Sequence, residues 1–274
     1  MIVIVTDSSA YLTREEAERL GAVVVPMTYS YGGSPALTET YVDENGAFDR
    51  LIDRYPEQMH TSQAPMSAFV SAFADILEEG NEVLCITISS RMSGTYSNAV
   101  FAARELAPER ICVVDSLNTA AGMYQLVKKA REIIDAGKNL NETAQALREM
   151  RRRVGTVFTV EDIGPLRRSG RIGSLKMSVS TILNIRPILR CADGAIVSSG
   201  IARGRNDQRR QLLHCLPAGL KQAIVTYYEA GEQVQALADS LKARGIEPEC
   251  RPLGPVLAIH LGTGSIGLSW ITED

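Results

Sequence analysis

The sequence predicts an α/β protein of two domains: an N-terminal parallel-sheet α/β domain and a C-terminal α+β domain with a mixed sheet. Three observations predict it. Short, uniformly apolar runs at residues 2–5, 83–88 and 111–114 alternate with helical stretches, as buried parallel strands with crossover helices do. After Gly155 the strand-like runs outnumber the helical ones, which places the division at residues 1–155 and 156–274. A chain of 274 residues is long enough to build two modest cores.

The elements follow in order. Residues 2–5 form a strand, and Thr13 with Glu16 three positions later is a capping box opening a short helix. Residues 23–25 and 28–31 are β-rich, and a polar, Gly-containing stretch leads to a helix near 47–54. The hydroxyl cluster Thr61-Ser62-Gln63 stands just before a helix with Pro65 near its first turn. Phe69, Val70, Phe73, Ile76 and Leu77 form that helix's apolar face.

Strand 83–88 runs into Ser89-Ser90-Arg91-Met92-Ser93-Gly94-Thr95-Tyr96. The helix after Ser93 carries Ala99, Val100, Ala102, Ala103 and Leu106 at helical spacing. A strand at 111–114 and helices near 119–136 and 141–153 complete the first half. In the second half, strands are expected at 156–160, 188–190, 195–198, 223–227 and 256–259, and helices near 206–215 and 232–244.

Composition narrows the function. A formal charge of −3 argues against nonspecific nucleic-acid binding. Five scattered cysteines without a CxxC spacing fit reduced thiols better than disulfides or zinc ligands. The N-terminus reads as a strand rather than a signal segment, and no apolar run approaches the roughly 20 residues of a membrane helix. A cytoplasmic protein without stable membrane insertion is expected. Asp7 and Asp115 follow strands, but no phosphate loop or metal spacing accompanies them. Turn-stabilising roles are expected for both, with no metal and no cofactor.

The Ser/Thr clusters carry the chemistry. Where a strand hands over to a helix, the first-turn N–H groups lack partners and the helix dipole is positive. Such a corner suits an anion. Two of them in one chain, at Thr61-Ser62 and Ser93-Gly94-Thr95, suggest a polar pocket for an acidic head group.

Several blocks together resemble the DegV family of fatty-acid-binding proteins, which includes the fatty-acid-carrier subunits of bacterial fatty acid kinases. They are Thr6-Asp7-Ser8-Ser9, Thr61-Ser62-Gln63, Ile88 through Tyr96, and Val114-Asp115-Ser116. Gly170-Arg171-Ile172, Leu183-Asn184-Ile185-Arg186-Pro187-Ile188-Leu189, and Gly254-Pro255-Val256 with His260 continue the series in family order. The resemblance implies a two-domain α/β fold holding one long-chain fatty acid. It implies carboxylate binding by Thr61, Ser62, Ser93, Gly94 and Thr95, with His260 nearby and Arg171 in the head-group region. It also implies docking of a fatty acid kinase subunit near Arg203 and Arg205. Two departures stand out. His260-Leu261-Gly262-Thr263-Gly264 lacks the family's hydroxyl and proline after histidine, and Ser169 replaces the first glycine of the Gly-Gly-Arg-Ile pattern.

Each residue has a plainer reading. Ser93, Thr95 and Thr61 can act as helix caps; capping and ligand binding are compatible. His260 alone reads as a hydrogen-bonded structural histidine, and Arg171, Arg203 and Arg205 as solvated cations. Three functions follow: a noncatalytic carrier that presents the carboxylate to a partner kinase, a serine-dependent acyl hydrolase or acyl-transfer enzyme pairing Ser93 with His260, or a lipid-responsive interaction protein without a kinase partner. The Gly-x-Ser-x-Gly elbow of many such enzymes is missing around Ser93.

Overall fold

The computed structural model describes residues 1–46, 48–55, 57–172 and 185–273. Position 47, expected to open a helix, and Leu183 and Asn184 of the family block lie outside them.

Strand β1 (Ile2–Asp7) leads to helix α1 (Arg14–Leu20), which Thr13 and Glu16 open with the expected reciprocal capping box, and then to β2 (Ala22–Val25). A small antiparallel excursion follows, made of β3 (Met27–Tyr31), β4 (Leu37–Glu39) and, after α2 (Phe48–Arg54), β5 (Met59–Ser62). α3 (Met66–Glu78), β6 (Glu82–Thr87), α4 (Thr95–Leu106) and β7 (Ile111–Asp115) return to a parallel sheet of order β2-β1-β6-β7. α5 (Ala120–Asp135) and α6 (Leu140–Met150) follow.

Helices cover both faces of that sheet because neighbouring strand residues point to opposite sides. Ile4, Leu84 and Ile86 pack with Leu126, Val127 and Leu147 of α5 and α6. Val5, Val83 and Cys85 pack with Phe69 and Phe73 of α3 and with Ala99 and Ala102 of α4. Burying one such large side chain contributes about 1.5–3 kcal/mol.

The second half forms a six-stranded sheet from β8 (Val154–Thr159), β9 (Ile185–Ala192), β10 (Ala195–Arg203), β11 (Gln222–Tyr228), β12 (Glu247–Pro252) and β13 (Ser265–Ile271). Its order is β10-β9-β8-β13-β11-β12, with only β11 and β12 parallel, so it is mixed as expected. Helices α7 (Gly164–Ser169), α8 (Gly204–His214), α9 (Glu232–Lys242) and α10 (Pro255–Leu261) lie between the strands in sequence. Val157, Val225 and Leu268 pack against Leu212 and Leu213 of α8 and Leu237 and Leu241 of α9.

Two expectations fail. Residues 256–259, expected as a strand, are the middle of α10; Gly254 is the N-cap and Pro255 occupies the first turn. The Thr61-Ser62 cluster does not sit at a helix N-terminus. It ends β5, and α3 starts only at Met66, capped by Pro65.

The halves are tied together by polar contacts. The buried Arg251 guanidinium of β12 donates to Glu16 Oε2 at 2.6 Å and to the Tyr11 carbonyl at 2.8 Å. Its charge holds the Glu16 carboxyl down to about 2 despite partial burial. At the β9–β10 hairpin, Ser89 Oγ donates to the Gly194 carbonyl at 2.7 Å. A Cβ on Gly194, whose φ is +80°, would stand 2.5 Å from that same Oγ.

Candidate functional site

The site begins with a strand end meeting a helix end. Thr61 of β5 pairs with Tyr29 of β3, and strand alternation leaves Thr61 half-buried while Ser62 is exposed on the other face. Opposite Thr61 is the last turn of α10. Its first turn is anchored from below: Glu39 Oε2 accepts from Val256 N at 2.7 Å, and Tyr11 Oη accepts from Leu257 N at 3.0 Å. Burial pushes the Glu39 carboxyl up to about 7. Thus held, α10 places His260 Nε2 at 2.9 Å from Thr61 Oγ1. Burial and the nearby Arg171 cation lower His260 to about 4, so its imidazole is neutral at neutral pH.

The loop between β6 and α4 is pinned by the two strand-end aspartates. Asp7 Oδ2 accepts from Ile88 N at 2.7 Å, and Asp115 Oδ1 from Ser90 N at 3.2 Å and Leu117 N at 2.9 Å. Their expected turn-stabilising role is what the geometry shows. Ser93 Oγ stands 2.9 Å from Thr95 Oγ1 and accepts from Thr95 N at 3.3 Å. Thr95 is fully buried, and its Oγ1 accepts from Ala64 N at 3.2 Å. Asn98 Nδ2 donates to the Ala64 carbonyl at 2.8 Å. The two hydroxyl corners are therefore stitched to each other through Thr95 and Asn98. The space over Gly94 is taken by Gln63: a Cβ there would lie 2.1 Å from Gln63 Oε1.

Thr61, Gln63, Ser93, Arg171 and His260 line one cavity with apolar walls from Ile88, Met92, Leu166 and Val256. Ser62, Gly94 and Thr95 do not line it. A second cavity, walled by Phe158 and Leu253 with Thr119, Thr226 and Ser265, shares Ile196, Leu257 and Leu261 with the first. Each of these lobes encloses a cavity of about 40 Å³ within a larger recess that opens to solvent. They form a slot that starts polar, narrows at Ile196, Leu257 and Leu261, and continues between the N-terminus of α5 and the inner face of the mixed sheet. A roomier hollow of about 860 Å³ exposes Lys129, Glu132, Lys221 and Glu273 beside apolar side chains such as Ile133, Met150, Leu220 and Ile271.

Arg171 is exposed and donates to the Ser169 carbonyl at 2.5 Å. Arg203 and Arg205 are exposed around the start of α8, away from these lobes; Arg205 borders a separate hollow between α8 and α9. The apolar waist and Gln63 were not singled out from sequence. Gln63 stood in the same short block as Thr61, and Leu257 and Leu261 became visible only once 256–259 proved helical.

Ser93 and His260 both line the cavity, but among the described residues no hydrogen bond joins them. Ser93 Oγ is engaged by Thr95, and His260 Nε2 by Thr61. Among the described residues, no helix is long and apolar enough to cross a membrane, and no group of three His, Cys, Asp or Glu side chains could hold a metal ion.

Comparison with known proteins agrees with this picture. The family model described as "Uncharacterised protein, DegV family" matches residues 1–273. A DegV domain-containing protein of Halalkalibacterium halodurans is 30% identical over 283 residues, covering 99% of each chain. A solved DegV family protein from Thermus thermophilus, described by its fatty acid binding, is 30% identical with a TM-score of 0.88 over 99% of each chain. A stearic acid-binding protein from Eubacterium ventriosum is 25% identical with a TM-score of 0.88, over 98% of this chain and 97% of its own.

Proposed function

This chain belongs to the DegV family, and from that premise we propose that it is a noncatalytic carrier of a long-chain fatty acid that presents the carboxylate to a partner kinase. The observation that carries the reading is the slot, which begins among Thr61, Ser93 and His260 and runs on between apolar walls. Relatives described as fatty-acid and stearic-acid binding share its fold.

The two ends of the slot match the two ends of the ligand. Each buried methylene gains about 0.8 kcal/mol, so a long chain gains on the order of 10 kcal/mol before the costs of association. Its carboxylate must recover the hydrogen bonds lost with water. The hydroxyls of Thr61 and Ser93 and a ring N–H of His260 supply donors, and Arg171 supplies positive charge at the rim. Charge-assisted bonds of this kind are about twice as strong as neutral ones. Ser62, Gly94 and Thr95 act behind the head group, Thr95 by fixing the Ser93 rotamer. The hydroxyl corners come from the proposed unit 1–155 and α10 from 156–274, so the ligand closes the seam between them.

Chemistry at the carboxylate is assigned to the kinase subunit, with Arg203 and Arg205 as its docking cations. This chain needs no nucleotide site for that role, and a cytoplasmic location follows from it. Binding of a long-chain fatty acid to the delipidated protein, measured by calorimetry, tests the carrier reading; failure to take up any such acid overturns it. Charge reversal at Arg203 and Arg205 is expected to impair phosphorylation of the bound acid by the kinase while leaving its binding intact. Equal loss of both would remove the docking role. Ester hydrolysis lost in Ser93→Ala would instead favour the enzyme.

A further inference from the structure

The inner lobe of the slot is lined mainly by apolar surface, yet two buried hydroxyls stand in its wall. Thr119 and Ser265 line it; they are 8% and 1% exposed, and neither hydroxyl oxygen has a hydrogen-bond partner among the described residues. Thr119 occupies the N-cap of α5, where a threonine oxygen ordinarily accepts a bond from the first turn. Here it makes no cap bond. Ser265 opens β13, and alternation sends Ile266 and Leu268 into the core under α8 and α9. Ser265 and Gly267 therefore face the opposite side, the side of the lobe. Thr156, by contrast, lines the same lobe with its Oγ1 already engaged by Asn118 and Ser269.

Buried polar atoms are nearly always paired, and an unpaired one is costly. A plain methylene chain threading past Leu257 would leave both hydroxyls unpaired. A hydroxyl on the chain could pair them, since it donates one bond and accepts two. We infer that the inner lobe receives an oxygen-bearing segment of the acyl chain, and that the preferred ligand class is the hydroxy fatty acids. This rests on the fatty-acid reading above and adds a second polar subsite, beyond the apolar waist and remote from the carboxylate.

The test compares stearic acid with isomers carrying one hydroxyl at mid-chain or at the terminal carbon, each titrated into the delipidated full chain. At least one hydroxylated isomer should bind about tenfold more tightly than stearic acid. The Thr119→Val, Ser265→Ala double variant should lose the preference, so that stearic acid and its hydroxylated isomers bind it with similar affinity. Thr119→Ser, which keeps the hydroxyl, should retain it and guards against misreading a folding defect. Equal or weaker binding of every hydroxylated isomer by the wild type, or a preference that survives in the double variant, overturns the inference: the two oxygens would then hold water beside a plain chain. Failure to bind any of the acids overturns the carrier reading as well, so the two failures are distinguishable.

Discussion

Thr61 Oγ1 and His260 Nε2 stand 2.9 Å apart although 199 positions separate the two residues. The contact depends on both halves of the molecule. The small antiparallel sheet places Thr61, and the buried Glu39 and Tyr11 fix the first turn of the helix whose last turn carries His260. The polar mouth of the slot is thus an assembled feature, sensitive to changes well away from it.

Thr61→Val and Ser93→Ala should each weaken fatty-acid binding about tenfold or more, as loss of one hydrogen bond to a charged group costs about 1.5–3 kcal/mol. Thr61 and Ser93 are only half-buried, so thermal unfolding of the delipidated protein should move little. Titration of a long-chain acid into each variant checks this. Unchanged affinity in the double variant removes both from head-group binding.

Leu257 sits at the waist shared by the two lobes. Leu257→Trp should obstruct the slot there and shift preference toward short acids, because the inner lobe is cut off while the polar mouth stays open. Overpacking a filled core costs about 1–3 kcal/mol, so some stability should also be lost. Affinity as a function of acyl length is the readout; a parallel loss at every length would place the chain elsewhere.

The His260 contribution to the stability of the delipidated protein should be lost as pH falls from about 6.5 toward 4, against an opposite contribution from the raised Glu39 carboxyl. His260 is held down to about 4 in the folded state, against the ordinary 6.5 of a histidine. Across that window His260 binds more protons in the unfolded chain, so at this site unfolding is favoured as pH drops, and above it this contribution is fully present. Relative to the wild type, His260→Gln should gain in denaturant midpoint at pH 4.5 compared with pH 7.

Arg251 and Glu16 form an ion pair with side chains 10% and 15% exposed. Arg251→Ala should destabilise by about 3–5 kcal/mol, because it leaves a carboxylate buried without its partner. Adding Glu16→Gln should recover part of the loss. A denaturation series on the three variants measures this; a loss below about 1 kcal/mol in Arg251→Ala would mean that solvent reaches the pair.

Much of the fold is legible along the chain because local signals agree with it. Thr13 and Glu16 announce α1 by their spacing, and the uniformly apolar runs around Ile4, Leu84 and Val114 mark strands buried on both faces. Residues 256–259 mislead for a physical reason: a four-residue apolar run fits a buried helix as well as a strand. The Gly254-Pro255 pair just before it was the helix signal. β12 escapes notice because Pro248 and Pro252 read as strand breakers, yet it is an edge strand, where proline is tolerated. In the site, the hydroxyl corners show as short motifs. The waist of Ile196, Leu257 and Leu261 does not, since three isolated aliphatic residues announce a wall only after folding brings them together.

The most direct test is a crystal structure of the protein with a long-chain fatty acid added after delipidation. The account predicts the carboxylate within hydrogen-bond distance of Thr61 and Ser93, with the acyl chain passing between Ile196 and Leu257 into the lobe lined by Phe158. An acid bound in the charged hollow near Lys129 and Lys221, or a slot left unfilled at saturating ligand, would contradict it.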